Sequence, residues 1–337
     1  MTTSAVMGAG SWGTVFAKVL ADAGGDVRIY ARDPEVAAAI NDRHVNPMYH
    51  LDLALPPSLR ATAYPEQALE GADVVVLAIP AQVLRANLQS WRTWLTGSAR
   101  PVMVSLMKGI ELGSTLRMSE VIAAVTGVGA DRIAVISGPN LASEIAEQQP
   151  TATTVACADE GTAQQLQSIC TADYFRPYWT TDVIGTEIGG AVKNVIALAN
   201  GIAVGMGLGE NSQASLMTRG LAEMARLGFA LGADPLTFQG LAGVGDLVAT
   251  CQSPLSRNRT FGECLGRGMS VAETIAQTRR TCEGYRSCQP ILELARQHSV
   301  EMPITEQVVE VLHHGKPAVS VASAFMSRDR KPENPLA

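Results

Sequence analysis

Short apolar runs alternate with amphipathic helical patterns along the first half of the chain. The helical patterns repeat apolar residues at intervals of three and four, at residues 12–23, 35–41 and 116–125. The apolar runs have the length of buried strands and lie at residues 5–7, 27–30, 74–79, 102–106 and 133–136, followed by a β-like pair at 152–157 and 174–180. This alternation predicts βαβ units around a parallel sheet.

The pattern changes near residue 185. Strand-like runs disappear, and long helical patterns rich in Ala, Leu, Met and Glu follow, separated by glycine-rich turns at 205–209 and 240–245. We therefore predict an α/β domain with a doubly wound sheet over residues 1–185 and an all-α domain over residues 186–330.

Composition narrows the class of protein. The 337 residues suffice for about two domains, and 32 acidic against 26 basic residues give a net charge of −6, which argues against a nucleic-acid partner. Six cysteines without a C-x-x-C pair predict reduced thiols and no metal site. Without a basic leader or a run of roughly 18 uncharged apolar residues, we expect a cytoplasmic protein with no membrane span.

Residues 8–13 read G-A-G-S-W-G, a G-x-G-x-x-G motif between a short strand and an amphipathic helix. In such a turn Gly8 permits the sharp bend, Gly10 lets the backbone approach a pyrophosphate, and Gly13 lets the helix pack on the strand. The amino terminus of the helix attracts the phosphate charge. The motif predicts a Rossmann-type dinucleotide-binding domain, with a purely structural glycine turn as the alternative.

The residues after the second strand bear on which dinucleotide is preferred. An acid there pairs with a ribose 2′-hydroxyl, whereas an arginine suits a 2′-phosphate. Here the strand is followed by Arg32 and Asp33, so Arg32 favours NADP(H), although a shift of one residue would favour NAD(H). A solvated Arg–Asp pair without a ligand is the alternative.

Lys193 lies in residues 189–200, a helical segment that is apolar nearly all round and should be buried. Its helical neighbours are mostly small, which leaves room beside the ammonium group. Loss of hydration favours a neutral amine, so Lys193 is a candidate proton carrier for an alcohol and carbonyl pair. The alternative is a lysine whose stem packs while its ammonium group reaches water.

Four other segments carry candidate chemistry. Asp246 ends a glycine-rich turn and could orient a lysine or cap a helix. Residues 256–258 place a hydroxyl, a guanidinium and an amide in one short loop, a donor set suited to phosphate oxygens or a solvated surface turn. Lys108 and residues 137–140 follow predicted strands, at the edge where ligands of open α/β sheets bind.

Five separated motifs together resemble bacterial NAD(P)-dependent glycerol-3-phosphate dehydrogenases. The resemblance runs from about residue 5 to residue 317 and rests on residues 10–13 (GSWG), 190–194 (GAVKN), 218–223 (TRGLAE), 243–247 (GVGDL) and 256–258 (SRN).

This resemblance implies reversible reduction of dihydroxyacetone phosphate to sn-glycerol 3-phosphate, which supplies the backbone of phospholipids. It implies that Lys193 accepts the proton when the alcohol is oxidised and returns it when the ketone is reduced. The implied substrate contacts are Lys108, Gly138, Asn140, Lys193, Asp246, Ser256, Arg257 and Asn258. The implied cofactor contacts are Gly8, Gly10, Ser11, Trp12, Gly13, Arg32, Tyr49, Lys108, Ala142, Arg257, Thr281 and Glu283. NADP(H) is the expected cofactor, with NAD(H) possible, and the expected assembly is a homodimer.

The chain departs from the family pattern at three places. Asn140 stands where serine or threonine is more frequent, Thr281 replaces an aliphatic residue, and residues 285–288 (YRSC) are unusual after Glu283.

Two other functions fit the same architecture. One is a dehydrogenase for another hydroxy acid, which the loop at 256–258 together with Asp246 argues against. The other is a non-catalytic sensor of the NADP(H) redox state.

Overall fold

The computed structural model describes residues 2–49, 53–95, 101–278 and 282–321. Within them the chain forms two compact units. The first runs to Met107 and resumes over Arg117–Val183, and the second comprises Lys108–Leu116 and the chain from Ile184 onward. The prediction of a first domain over residues 1–185 places residues 108–116 in that domain. They belong to the second unit, where Ile110 is buried in the hydrophobic core and the Lys108 carbonyl accepts a hydrogen bond from Asn194.

The first unit is an α/β layer structure. Its strands are β1 (Thr3–Met7), β2 (Asp26–Tyr30), β3 (Arg60–Thr62), β4 (Val74–Leu77), β5 (Val102–Ser105), β6 (Ile133–Ser137), β7 (Thr151–Cys157) and β8 (Phe175–Thr180). Its α-helices are α1 (Ser11–Asp22), α2 (Pro34–Arg43), α3 (Pro65–Leu69), α4 (Leu84–Leu95), α5 (Met118–Thr126), α6 (Ala142–Ala146) and α7 (Glu160–Ile169).

The strands form one sheet in the order β3-β2-β1-β4-β5-β6-β7-β8. All neighbouring strands are parallel except β6 and β7, which are antiparallel. Met7 lies opposite Tyr30 on β2 and Leu77 on β4, so the carboxyl ends of the three central strands are level. This edge of the sheet is where the dinucleotide motif begins.

The sheet differs from the prediction in two details, one additional parallel strand and one antiparallel pair of strands. Strand β3 was not predicted, because its three residues are too few and too exposed to form an apolar run. Strand β7 returns antiparallel to β6, since the connection between them contains only the five-residue helix α6 rather than a full crossover helix.

The second unit is helical, as predicted, and its described residues contain no strand. Its α-helices are α8 (Val183–Gly205), α9 (Glu210–Ala230), α10 (Asp246–Gln252), α11 (Arg257–Gly266), α12 (Val271–Thr278), α13 (Glu283–Gln297) and α14 (Pro303–His313). Helix α8 lies in the hydrophobic core of this unit, and its residues 185–203 are all buried. A Cβ on Gly262 of α11 would lie 2.1 Å from the Leu198 carbonyl oxygen, so α8 and α11 touch backbone to backbone.

Among the described helices, only α8 is long and apolar enough to cross a membrane. Its most apolar window is 89% buried within the fold, which is the situation of a core helix. All six cysteines are free and buried.

Candidate active site

The glycine-rich turn connects β1 to α1 in the first unit. Gly8 has φ of +126°, and a Cβ there would lie 2.6 Å from the Ala78 carbonyl oxygen. A Cβ on Gly13 would lie 2.0 Å from the Gly8 carbonyl oxygen, so only glycine lets α1 begin this close to the turn. Among the described residues, a Cβ on Gly10 meets nothing within 4 Å, and no side chain caps the helix at Gly10. The amino terminus of α1, which has room at Gly10 for a close approach, fits the pyrophosphate of a dinucleotide.

Asn46, which the sequence analysis did not single out, connects the segment that follows α2 to this turn through hydrogen bonds. Its Nδ2 donates to the Ala9 carbonyl at 3.0 Å and to Thr14 Oγ1 at 2.8 Å, and its Oδ1 accepts from the Met48 amide. The side chain is 1% exposed. Asn46 therefore holds the turn that carries the half-buried Tyr49 beside the glycine-rich loop. An asparagine before a proline gives no sequence signal for this role.

Arg32 and Asp33, which follow β2, have different environments in the structure. Asp33 is the N-cap of α2, and its Oδ1 accepts from the Glu35 amide at 2.9 Å. Arg32 is exposed, two residues beyond the last residue of β2. The carboxylate is thus engaged in capping a helix, whereas the guanidinium projects into solvent at the strand end.

Three further cofactor candidates, Ser11, Trp12 and Ala142, lie in the first unit. The Trp12 ring packs against Phe16 and Phe175, with centroid distances of 5.4 and 6.4 Å, so the half-buried indole packs against the hydrophobic core. The backbone of Ser11 and Trp12 forms the first turn of α1. Ala142 begins α6.

Gly138 and Asn140 follow β6 and lie against Thr153 of β7. Gly138 has φ of +151°, and a Cβ there would lie 3.0 Å from Thr153 Oγ1. Asn140 Nδ2 donates to the same Oγ1 at 3.0 Å. The strand end predicted to meet a ligand is thus shaped by a residue of the neighbouring strand.

The second unit contains a buried cluster of three charges. Lys193 Nζ lies 2.8 Å from Asp246 Oδ1, and Lys108 Nζ lies 2.6 Å from Asp246 Oδ2. Lys193 Nζ also donates to Thr250 Oγ1 at 2.6 Å. Lys193 is 7% exposed and Asp246 1%, so both side chains are buried. Asp246 therefore orients lysines, and the cap of α10 is Gly245.

A π-helical turn, Leu241–Gly245, brings Asp246 to α8. A Cβ on Gly189 of α8 would lie 2.3 Å from the Ala242 carbonyl oxygen. The turn can pack this closely only because α8 has a glycine there. Lys193, one helical turn after Gly189, then faces the start of α10.

The cluster shifts the ionisation of its members. Burial lowers the pKa of Lys108 to about 8, against the opposing attraction of Asp246. Burial alone would raise the pKa of Asp246, but the ammonium groups of Lys108 and Lys193 outweigh it and hold that pKa below its usual value. The cluster is thus a carboxylate between two lysines, and the pKa of one of them, Lys108, is lowered to about 8.

The loop at residues 256–258 begins α11. Ser256 is buried and caps the helix, its Oγ accepting from the Arg259 amide, while Arg257 is exposed. Asn258 Nδ2 donates to Asn194 Oδ1 at 2.9 Å, and Asn258 Oδ1 accepts from the Gly284 amide at 2.9 Å.

This hydrogen-bond chain continues to the charged cluster. Asn194 Nδ2 donates to the Lys108 carbonyl at 3.2 Å, so one chain joins the 256–258 loop, the segment carrying Lys108, and the start of α13 at Glu283. Thr281 lies outside the described residues.

Sequence reasoning thus missed four polar residues that hold candidate site residues: Asn46, Thr153, Asn194 and Thr250. Only Thr250 carried a usable signal, because it lies four residues after Asp246 on one helix face. The others act across long sequence separations.

Comparison with known proteins decides the family. The model of the NAD-dependent glycerol-3-phosphate dehydrogenase N-terminus matches residues 3–163, and that of the C-terminus matches residues 182–323. This chain belongs to the NAD-dependent glycerol-3-phosphate dehydrogenase family. It is therefore an NAD(P)-dependent oxidoreductase that acts on a CH–OH group, and the alternative of a non-catalytic sensor falls away.

Relatives within the glycerol-3-phosphate dehydrogenase family match over nearly the whole chain. The glycerol-3-phosphate dehydrogenase (NAD(P)+) of Streptomyces griseus is 61% identical over 330 residues, with 98% of each chain covered. That of Thermobifida fusca is 60% identical over 334 residues, with 99% of each covered. The crystal structure of the Coxiella burnetii glycerol-3-phosphate dehydrogenase superposes with a TM-score of 0.91 at 35% identity, covering 97% of this chain and 99% of the other.

Proposed function

We propose that this chain interconverts dihydroxyacetone phosphate and sn-glycerol 3-phosphate, and so supplies glycerol 3-phosphate for phospholipid synthesis. The observation that carries the proposal is the buried Lys193, held by Asp246 and Thr250 in a chain of this family. The named activity of the relatives supports the choice of substrate.

Lys193 serves as the proton carrier. A nicotinamide cofactor, when bound, would supply or accept the hydride. Asp246 and Thr250 take two of the three ammonium N–H groups of Lys193, which fixes the direction of the remaining one. During ketone reduction Lys193 gives its proton to the developing alkoxide. Lys108 still neutralises Asp246 at that moment, so the buried carboxylate keeps an opposite charge.

The phosphate group of the substrate is bound by Ser256, Arg257 and Asn258. The exposed guanidinium of Arg257 stands on the first turn of α11, where the helix dipole also favours an anion. Lys108, Gly138, Asn140 and Asp246 complete the proposed substrate contacts.

The glycine-rich turn, Gly8–Gly13, would hold the cofactor, with the contacts from Tyr49, Lys108, Ala142, Arg257, Thr281 and Glu283 that the sequence resemblance implies. We further propose a preference for NADP(H). Two observations support it: Asp33 is engaged as a helix cap, and Arg32 is exposed beside it. NAD(H) remains a substrate of lower affinity. Arg32→Ala should remove the preference for NADPH over NADH. If the ratio of the KM for NADH to the KM for NADPH is the same in the wild type and in Arg32→Ala, the role of Arg32 is refuted.

The proposed assembly is a homodimer in the cytoplasm. Phe229 and Leu236 of the second unit are 59% and 66% exposed and are candidates for a subunit contact. Six free, buried thiols suit a reducing compartment. Light scattering of the purified protein tests the dimer.

The decisive experiment follows NADPH oxidation with dihydroxyacetone phosphate, with other ketose phosphates and with a panel of keto acids. Lys193→Ala should bind NADPH as tightly as the wild type and lose about 10²-fold or more in kcat. Lys316→Ala, which removes a lysine outside the cluster, is the matched control. Turnover of Lys193→Ala within a few fold of the wild type would refute the proton-carrier role.

A further inference from the structure

Thr153 holds the side chain of Asn140 through a hydrogen-bond chain inside the first unit. Thr153 Oγ1 lies 3.1 Å from the Ser137 carbonyl oxygen and 3.0 Å from Asn140 Nδ2. Thr153 is 0% exposed, and it lies on β7 beside the end of β6. The contact therefore joins a rigid sheet to the loop that follows it.

The chemistry of this chain of atoms determines how the Asn140 amide is oriented. A hydroxyl group has one proton, and Thr153 donates it to the Ser137 carbonyl. The lone pair of Thr153 Oγ1 then faces Asn140, where only the Nδ2 end of the amide can donate. The opposite end, Oδ1, points away from Thr153. It is buried and accepts no hydrogen bond from any side chain or backbone group of the described residues.

A buried carbonyl oxygen without a donor is unfavourable, and a ligand that brings an O–H group relieves it. We propose that Thr153 is a positioning residue that fixes Asn140 Oδ1 as the acceptor for a hydroxyl group of the three-carbon substrate. The proposal rests on the substrate contact assigned to Asn140 under the proposed function. The role of Thr153 also follows from the amide at position 140. A serine or threonine hydroxyl there could rotate to donate or to accept a hydrogen bond, whereas an asparagine needs a partner that determines whether Oδ1 or Nδ2 faces the substrate.

Thr153→Val keeps the shape of the side chain and removes the hydroxyl. The amide of Asn140 then has no partner that favours Nδ2 on the Thr153 side, and the acceptor is presented only part of the time. The KM for dihydroxyacetone phosphate should rise about fivefold, the equivalent of one neutral hydrogen bond. Thr153→Ser retains the hydroxyl and should restore KM to within about twofold of the wild type. The Kd for NADPH, measured by fluorescence, and kcat should stay within about twofold in both variants.

Asn140→Ala and the double variant Asn140→Ala/Thr153→Val complete a cycle. Asn140→Ala should raise KM at least as much as Thr153→Val, and the second substitution should add nothing, because Thr153 acts only through Asn140. Thermal unfolding of each variant confirms that it is folded at the assay temperature.

The outcomes separate this proposal from the one on which it rests. If Asn140→Ala raises KM while Thr153→Val does not, or if Thr153→Ser is as impaired as Thr153→Val, the positioning role is overturned. It is also overturned if the two substitutions are additive, or if Thr153→Val changes the Kd for NADPH instead of KM. If Asn140→Ala leaves KM unchanged, the proposed substrate contact of Asn140 is wrong and the proposal falls with it.

Discussion

Replacing Asp246 with asparagine removes the one negative charge from the buried cluster and keeps the size of the side chain. In the wild type each carboxylate oxygen accepts from one lysine, Lys193 at 2.8 Å and Lys108 at 2.6 Å. An asparagine offers one acceptor oxygen and one NH₂ group. One ammonium group then faces a donor, and two buried positive charges lie together without a counterion.

The size of the effect follows from two considerations. Removing one partner of a buried ion pair destabilises a protein by about 3–5 kcal/mol, and we expect this loss at pH 7. The variant can reduce the charge repulsion if Lys108 releases a proton. That pKa is already lowered to about 8, and loss of the attraction from Asp246 lowers it further.

This release gives the loss a defined dependence on pH. A lysine whose pKa is lower in the folded than in the unfolded chain adds stability as pH rises between the two values. In the wild type that window opens at about pH 8, whereas in Asp246→Asn it opens at lower pH. Between pH 6 and 8 the titration of Lys108 therefore adds stability to the variant but not to the wild type, at up to about 1.4 kcal/mol per pH unit. The difference between the two proteins should shrink across this interval.

Urea unfolding followed by tryptophan fluorescence at pH 6, 7 and 8 measures the free energy of unfolding. Adding Lys108→Met to Asp246→Asn should recover part of the loss, because it removes one of the two ammonium groups. Asp42→Asn, which changes the net charge equally at an exposed position on α2, is the control. A loss below about 1 kcal/mol at pH 7, a difference independent of pH, or no recovery from Lys108→Met would refute this account of the cluster.

Two further predictions concern stability. The buried Glu223 carboxylate accepts from the Thr305 amide at the start of α14, and burial raises its pKa to about 7. Because the pKa of Glu223 is higher in the folded chain than in the unfolded chain, its protonation stabilises the fold fully below pH 4.5, and this stabilisation is lost as pH rises to 7. The free energy of unfolding of the wild type, relative to that of Glu223→Gln, should therefore fall by up to roughly 3 kcal/mol between these two pH values, as measured by urea unfolding. A difference that stays constant with pH would contradict this. Gly262→Ala would place a Cβ 2.1 Å from the Leu198 carbonyl oxygen and should cost at least about 2 kcal/mol, whereas Gly161→Ala, with 3.4 Å to its nearest neighbour, should cost nothing. Thermal unfolding of both glycine variants checks the contrast, and equal melting temperatures would count against it.

The parts of the fold that depend on local pattern could be predicted from the sequence. The strand, glycine turn and helix around Gly8 are contiguous, so periodicity and motif spacing suffice to place them. The apolar run around Lys193 likewise predicted a buried helix. In contrast, strand β3 has too few residues to produce a pattern, and the antiparallel β7 depends on how the chain crosses the sheet.

The polar contacts of the site could be predicted only in part. Asp246 was expected either to orient a lysine or to cap a helix, and the choice depends on a π-helical turn that no periodicity reveals. Thr153 and Asn194 bind partners that are distant in sequence or on another element, so their role follows from three-dimensional packing alone. The resemblance to a family supplied the candidate residues, and the structure supplied the partners that orient them.

Because residues 108–116 belong to the second unit, this enzyme cannot be divided into its two units by a single cut in the chain. A fragment that starts at Ile184 omits Lys108 and Ile110, so it lacks one of the two counterions of Asp246 and one apolar residue of its own core. Cutting the chain once near residue 184 therefore cannot yield an intact helical half. Engineered chimaeras that exchange the nucleotide-binding part must carry this short stretch along with the carboxyl-terminal residues.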